Sequence, residues 1–210
     1  MEKKTNNKKQ KYYQIKVSIK NTHPPVWRRL LIPEGITFHQ LNAIIQIAFD
    51  WCGYHMYNFE IGSTLYGGGI SIEIPYEDNN LDYYEVKSSK STKIDKYFKE
   101  YKKMKYIYDF GDDWEHEITI EKEIEGKIVY PVCVKAKMAS LPEDCGGPWG
   151  YEELLGILAD KKHERYEEMR EWVDHGFFDW HDDREYVDVE YINKRLEDYK
   201  EHAKFLLEGF

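Results

Sequence analysis

The chain has 210 residues, of which 41% are apolar and 16% aromatic, enough to close a sizeable core and to exclude global disorder despite 33% charged side chains. A net charge of −9 disfavours generic nucleic-acid binding, because an acidic surface repels phosphate backbones. No apolar run approaches the roughly 20 residues of a membrane helix, and the polar, Lys-rich N-terminus does not read as a signal peptide, so a soluble, cytoplasmic chain with no membrane partner is expected.

The first eleven residues carry Lys3, Lys4, Lys8, Lys9 and Lys11, a basic arm read first as a solvated terminus and second as a nucleic-acid contact. Residues 12–210 read as one domain. Tyr12 to Lys20 alternates, with Tyr13, Ile15, Val17 and Ile19 on one face, which predicts a strand. Asn21 to Pro25 is a turn, and Val26 to Ile32 is the returning strand of a hairpin. Of the adjacent Arg28 and Arg29, alternation sends one to each face, so at most one joins any site.

Thr37 and Gln40 have capping-box spacing, and Leu41, Ile44, Ile45 and Ala48 then recur at helical spacing and face a core. The helix is expected to end near Trp51 to Gly53, and His55 to Ile61 alternates again. Strand, strand, helix, strand opens a β-grasp-like α+β unit. Gly67 to Gly69 begins a polar stretch running to about Ser91 that reads as loop, since no strand and helix flank it as a phosphate loop requires.

Ile94, Tyr97, Phe98 and Tyr101 fit a short amphipathic helix. Two strands, Tyr106 to Phe110 and Trp114 to Ile120, then flank an acidic turn, and Glu125-Gly126 reads as a tight turn into a third strand, Ile128 to Val134. From Tyr151 the pattern becomes helical and runs through Tyr166, Met169, Trp172 and Val173 to a C-terminal cap at Gly176. Asp188 caps a last helix carrying Val189, Ile192, Leu196, Tyr199, Ala203 and Leu206, which either packs on its own core or forms a dimer seam. The expected architecture is an α+β, β-grasp-like mixed sheet with a packed helix and a C-terminal helical annex.

Two polar clusters stand out. The first is Asp109-Phe110-Gly111-Asp112-Asp113-Trp114-Glu115-His116, and the second is Glu143-Asp144-Cys145-Gly146-Gly147-Pro148-Trp149. Together with His55 they nominate a cleft formed by His55, Asp109, Asp112, Asp113, Trp114, His116, Glu143, Asp144, Cys145 and Trp149. Carboxylates at a Gly turn suit a divalent metal, and Asp109, Asp112, His116 and Glu143 are the candidate ligands. The plainer reading is turn chemistry, since Asp bonds nearby amides and Gly accepts positive φ. His116 falls on the apolar face of its strand and reads first as a core histidine bonded to backbone, and second as a partner of a metal or of a carboxylate such as Asp109 or Asp112. The Gly pair lets backbone approach a ligand, or simply forms an elbow into the next helix.

Cys52, Cys133 and Cys145 are odd in number and lack paired spacing, so neither a disulfide framework nor a Cys-only zinc site is expected. Cys145 as a nucleophile would need a base such as His116 or His55. Walker A, nucleophile-elbow and zincin motifs are absent. Glu125-Gly126-Lys127 has the acidic-x-Lys form of a restriction-type nuclease but falls at an expected turn instead of on a strand.

The segments Val26-Trp27-Arg28-Arg29, Phe49-Asp50-Trp51 with His55 and Phe59, Tyr108 to His116, and Pro142 to Gly147 with Gly150-Tyr151 resemble, in that order, the Ri-plasmid Orf-three-like domain. Relatives are also labelled insertion-sequence passenger or TnpR-like proteins. The resemblance spans Tyr12 to Leu196 and implies an α+β domain found on plasmids, mobile elements and chromosomes. It supplies no catalytic residue, and no Ser–Arg constellation of a serine recombinase supports the TnpR label. One departure is Leu141, where relatives commonly carry a second Pro before the Glu-Asp pair. Two functions follow: a non-enzymatic binding or accessory module recognising a protein or peptide through an acidic, aromatic-rich cleft, or a metal-assisted hydrolase or nuclease using the Asp109–His116 and Glu143–Asp144 clusters.

Overall fold

A computed structural model describes residues 10–62, 68–74, 85–176, 178 and 180–208. The basic arm lies outside the described residues up to position 9, as does Gly67. Lys11 belongs to the first strand, where its ammonium pairs with Glu123 at 2.5 Å.

Strands β1 (Gln10–Ile19) and β2 (Trp27–Pro33) form the expected hairpin. Helix α1 (Phe38–Phe49) follows, then β3 (Tyr57–Ile61), β4 (Ile70–Glu73), β5 (Glu85–Ser88), α2 (Ile94–Glu100), β6 (Lys103–Tyr108), β7 (Trp114–Gly126) and β8 (Val132–Lys137). Helices α3 (Gly147–Ala159), α4 (Tyr166–His175), α5 (Val189–Leu196) and α6 (Tyr199–Glu208) complete the chain. The strands make one eight-stranded mixed sheet in the order β5-β4-β3-β6-β7-β1-β2-β8. Among the described residues, only the β4–β5 pair is parallel.

This is an α+β fold with a packed helix and a helical C-terminal part. The likeness to a β-grasp unit is one of element order, because β6 and β7 enter between β3 and the opening hairpin. The stretch from Gly69 to Ser91, read from sequence as loop, contains the short strands β4 and β5. A four-residue strand at a sheet edge is too short to show a period. Glu125-Gly126 is not a tight turn either. β7 continues through Gly126 as the partner of β1, and β8 crosses to the far side of β2.

α1 is the pivot of the core. Thr37 and Gln40 form the expected reciprocal capping box, and residues on every side of the helix are buried, from Phe38 to Phe49. One side meets the sheet, through Phe38 packed edge-on to Phe59 at 5.0 Å. The other meets α6, where Ala43, Ala203 and Leu206 form a small separate cluster. His39 sits in that seam. Its Nε2 is 2.6 Å from the Ala203 carbonyl and its Nδ1 2.7 Å from the Tyr57 hydroxyl. A carbonyl only accepts, so the proton is on Nε2 and Tyr57 donates to Nδ1.

The C-terminal pattern breaks twice where sequence reads it as continuous. Residues 160–165 separate α3 from α4, and Glu197-Asp198 separates α5 from α6. Gly176 caps α4 in an extended conformation, φ −64°, not in the left-handed one. Asp188 caps α5 as expected by accepting from the Tyr191 amide. Asn193 of α5 closes the edge of β8 by donating to the Cys133 carbonyl at 3.1 Å and accepting from its amide at 2.7 Å, as a neighbouring strand would.

Arg28 and Arg29 separate to opposite faces as alternation requires. On the sheet face away from α1, Arg29 pairs with Glu121 at 2.8 Å. Arg28 is fully buried and, among the described residues, bonds no carboxylate. Its guanidinium donates to the carbonyls of Ala48 at 2.8 Å, Trp27 at 3.0 Å, Lys137 at 3.2 Å and Met138 at 2.9 Å. It also reaches the Ser140 hydroxyl and lies 4.8 Å over the Phe49 ring. Burial pushes the Arg28 pKa down to about 10, so it stays charged at neutral pH. Arg28→Ala would orphan several buried carbonyls and is expected to cost about 3 kcal/mol or more in urea unfolding. Arg29→Ala, at a partly exposed pair, is expected to cost about 1 kcal/mol or less.

Candidate functional site

The end of α1, the start of β3, the β6–β7 turn and the segment after β8 meet at one pole of the sheet. The turn is built from Asp because Asp tolerates left-handed backbone: Asp109 has φ 57° and Asp113 φ 53°. The Asp109 carboxylate accepts from the Gly111 amide at 2.9 Å, and its carbonyl accepts from the Asp113 amide at 2.7 Å. The Asp109 amide donates to the Met56 carbonyl at 2.9 Å, which brings His55 alongside.

The two acidic clusters converge. Gly146 donates its amide to Asp112 Oδ2 at 3.0 Å. A side chain at Gly147, φ +67°, would place its Cβ 2.0 Å from the Asp112 carbonyl oxygen, and one at Gly150 would sit 1.8 Å from that of Cys145. These glycines serve close backbone packing. They form the elbow into α3, which starts at Gly147 with Pro148 in its first turn, four residues before the helical pattern is legible.

Several nominated residues hold the pole together from inside. Glu143 is 5% exposed. It accepts from the Tyr108 hydroxyl at 2.5 Å and from the Cys52 amide at 2.7 Å, and burial followed by the Glu143 charge drives the Tyr108 pKa up. Leu141, the departure from the resembling family, is itself buried and receives the Trp51 indole N–H at 2.7 Å. Trp114 and His116 are 0% exposed. His116 lies among Phe49, Trp51 and Tyr106 at ring distances of 5.4, 5.3 and 5.1 Å, with Nδ1 donating to the Trp114 carbonyl at 2.8 Å. Of the four candidate metal ligands, Asp109 reaches the open cluster described next, whereas His116 is core, Glu143 is doubly bonded and Asp112 is engaged by Gly146.

Asp144 is what the pole presents outward. Its Oδ1 lies 3.1 Å from His55 Nε2, and its Oδ2 accepts from the Tyr54 hydroxyl at 2.5 Å. Asp109 Oδ2 is 3.6 Å from the same His55 nitrogen. His55, Asp109 and Asp144 thereby offer ligand atoms all within 4.8 Å of one another. Asp144 also borders two grooves that share Trp172 of α4. One, of about 280 Å³, is lined by Tyr54, Glu143, Asp144, Trp172, His175 and Phe178. The other, of about 200 Å³, includes Cys145, Leu154, Ile157 and Met169. Phe110, Trp149 and Asp113 are exposed nearby in sequence, on the turn and the first turn of α3.

The thiols are poor nucleophiles. Burial and then the Asp112 charge push Cys145 up to about 12, and burial and then Glu143 push Cys52 up to about 11. The Glu125-Gly126-Lys127 motif lies at the far end of β7, a strand of 13 residues that begins at Trp114. It therefore does not join Asp112. Sequence reasoning passed over Tyr54, Trp172, His175 and Phe178, because only the break after α3 folds α4 back towards Asp144. The adjacency of Tyr54 to His55 was the one local signal.

A family model described as "Plasmid pRiA4b ORF-3-like protein" matches residues 11–190. The chain is 36% identical over 170 residues to an uncharacterized protein, y4hQ, of Sinorhizobium fredii, covering 79% of this chain and 82% of that one. It is similar in structure to a protein of unknown function, MM3350, from Methanosarcina mazei Go1, with a TM-score of 0.73 and 38% identity over 86% of this chain and 97% of that one. Among the described residues, no helix is long and apolar enough to cross a membrane.

The buried His116 makes stability depend on pH. Burial lowers its pKa to about 4 from an ordinary 6.5, so between these values the unfolded chain takes up a proton that the folded chain refuses. Stability is full above about pH 6.5 and falls as pH drops, by about 2 kcal/mol at pH 5 and about 3 kcal/mol by pH 4 from this residue alone. His39 and His202, lowered by burial as well, add with the same sign. Urea unfolding from pH 7.5 to 5 should therefore show a shallower slope for His116→Phe than for the unmodified chain.

Proposed function

The chain belongs to the plasmid pRiA4b ORF-3-like family, and we propose that it acts as an accessory binding module that engages a protein or peptide partner through the acidic, aromatic-flanked pole of its sheet. The observation that carries this reading is the position of Asp144 and Trp172, which border both grooves. A half-exposed carboxylate beside an indole offers charge and apolar contact in one place, the combination that anchors peptide recognition. Glu143 and Asp112 are already engaged, the first by Tyr108 and Cys52 and the second by the Gly146 amide, whereas Asp109 shares His55 with Asp144. The raised thiol pKa values disfavour a cysteine nucleophile at the pole.

A second reading, metal-assisted hydrolysis, draws on the His55–Asp109–Asp144 cluster. One imidazole and two carboxylates suit Zn²⁺ or Mn²⁺, and an ion held there would lower the pKa of a bound water facing the grooves.

Two measurements separate the readings. Asp144→Asn with Trp172→Ala is expected to reduce capture of a crosslinked partner at least about tenfold, while Glu117→Gln on the opposite sheet face leaves capture unchanged. Equal capture by all three proteins would overturn the binding reading. A stoichiometric metal in purified untagged protein, whose chelation lowers the melting temperature and which His55→Ala abolishes, would favour hydrolysis.

A further inference from the structure

We propose that the two grooves beside Trp172 form one bipartite subsite, which takes a basic side chain and a neighbouring apolar side chain of an extended partner segment. This deepens the binding reading and rests on it. The larger groove is acidic and aromatic. Asp144 supplies a carboxylate whose side chain is 54% exposed, and Trp172 and Phe178 pack with ring centroids 4.8 Å apart. Tyr54 stands on the same wall. A carboxylate among aromatic faces suits a lysine or arginine head, which gains a charge-assisted hydrogen bond and cation–π contact together.

The smaller groove differs in chemistry. Leu154, Ile157, Met169 and Trp172 give it apolar walls. Arg165, the cation among its described lining residues, is paired with Glu153 at 2.9 Å and Glu168 at 3.3 Å, both within the helical hairpin, so it does not recruit an anion. An aliphatic or aromatic side chain is the occupant this lining fits. Because the grooves share Asp144 and Trp172, one short segment spans both. Residues i and i+2 of an extended chain lie about 7 Å apart on the same side, and this is the pair we assign to the two grooves. Net charge sets the sign of the partner: a chain of −9 steers a basic segment in and an acidic one away.

The test uses the full chain and fluorescein-labelled nine-residue Gly/Ser peptides carrying Arg-Gly-Leu, Gln-Gly-Leu, Glu-Gly-Leu or Arg-Gly-Ser at the centre. Anisotropy is expected to show the Arg-Gly-Leu peptide bound, with the Gln or Ser replacement each weakening it about tenfold and the Glu peptide unbound. Asp144→Asn should weaken the Arg peptide to the level of the Gln peptide without changing the melting temperature, because Asn accepts the left-handed backbone of Asp144, φ 59°. Met169→Ala, at a half-buried position lining the smaller groove, should weaken the Leu peptide and leave the Ser peptide unchanged. Equal binding of the Arg and Gln peptides, or no binding of any peptide, overturns the bipartite assignment. If partner capture still depends on Asp144 and Trp172 in that case, the assignment fails alone and the binding reading stands.

Discussion

A guanidinium buried without a carboxylate is the constraint from which the rest of this structure follows. Removing Arg28 from water costs several kcal/mol, and only a full set of acceptors offsets it. The acceptors come from three places: the last turn of α1, its own strand β2, and the exit of β8 through Lys137, Met138 and Ser140. A cation at the C-terminal end of a helix is also stabilised by the helix dipole. Satisfying Arg28 therefore brings the end of α1 and the segment after β8 to the same point.

The links that build the pole then run outward from that point. The Trp51 indole, just past α1, bonds the Leu141 carbonyl, two residues before Glu143. Glu143 bonds Cys52 and Tyr108, which fixes the end of β6. Asp112 in the turn after β6 receives Gly146. The segments that carry the family resemblance supply Arg28, Trp51, Tyr108, Asp112, Glu143 and Gly146, and these are the members of this chain of contacts. In this chain, the segments that carry the resemblance are largely scaffold for one pole. Asp144, held by Tyr54 and His55, is the carboxylate that the scaffold turns outward.

Much of this was legible in sequence where the physics is local. Period-two alternation gave β1, β2, β3 and β6, and it placed His116 on the buried face that it occupies. The Thr37–Gln40 capping box is a contact between near neighbours and survives folding unchanged. The clustering of acid, Gly and aromatics marked the pole, and the two stretches do meet. What stayed hidden depends on partners distant in sequence. β7 runs past Ile120 only because β1 offers Gln10 to Gln14 to pair with. Glu125-Gly126 has the same local chemistry whether or not that partner is present. The helical breaks at residues 160–165 and at Glu197-Asp198 interrupt a continuous apolar phase, so periodicity ran through them. Which carboxylates face inward was also hidden, since Glu143 and Asp144 are adjacent and similar in type but differ in backbone direction.

That difference in direction governs what the pole can do. On the open face of the sheet the charges are balanced in pairs, Arg29 with Glu121, Lys105 with Glu60 and Glu115, and Lys103 with Glu117. At the pole the carboxylates of Asp109 and Asp144 share a single imidazole, and no lysine or arginine pairs with either among the described residues. Local negative charge therefore stays uncompensated there, and it favours a cation. The two readings of the site differ only in which cation that is. An ion held by His55 and Asp109 would claim the Asp144 oxygen nearest His55, and a basic side chain entering past Trp172 would approach the same carboxylate from the groove. One carboxylate cannot serve both at full strength, so on the two proposed readings a metal ion and a basic segment would compete for Asp144.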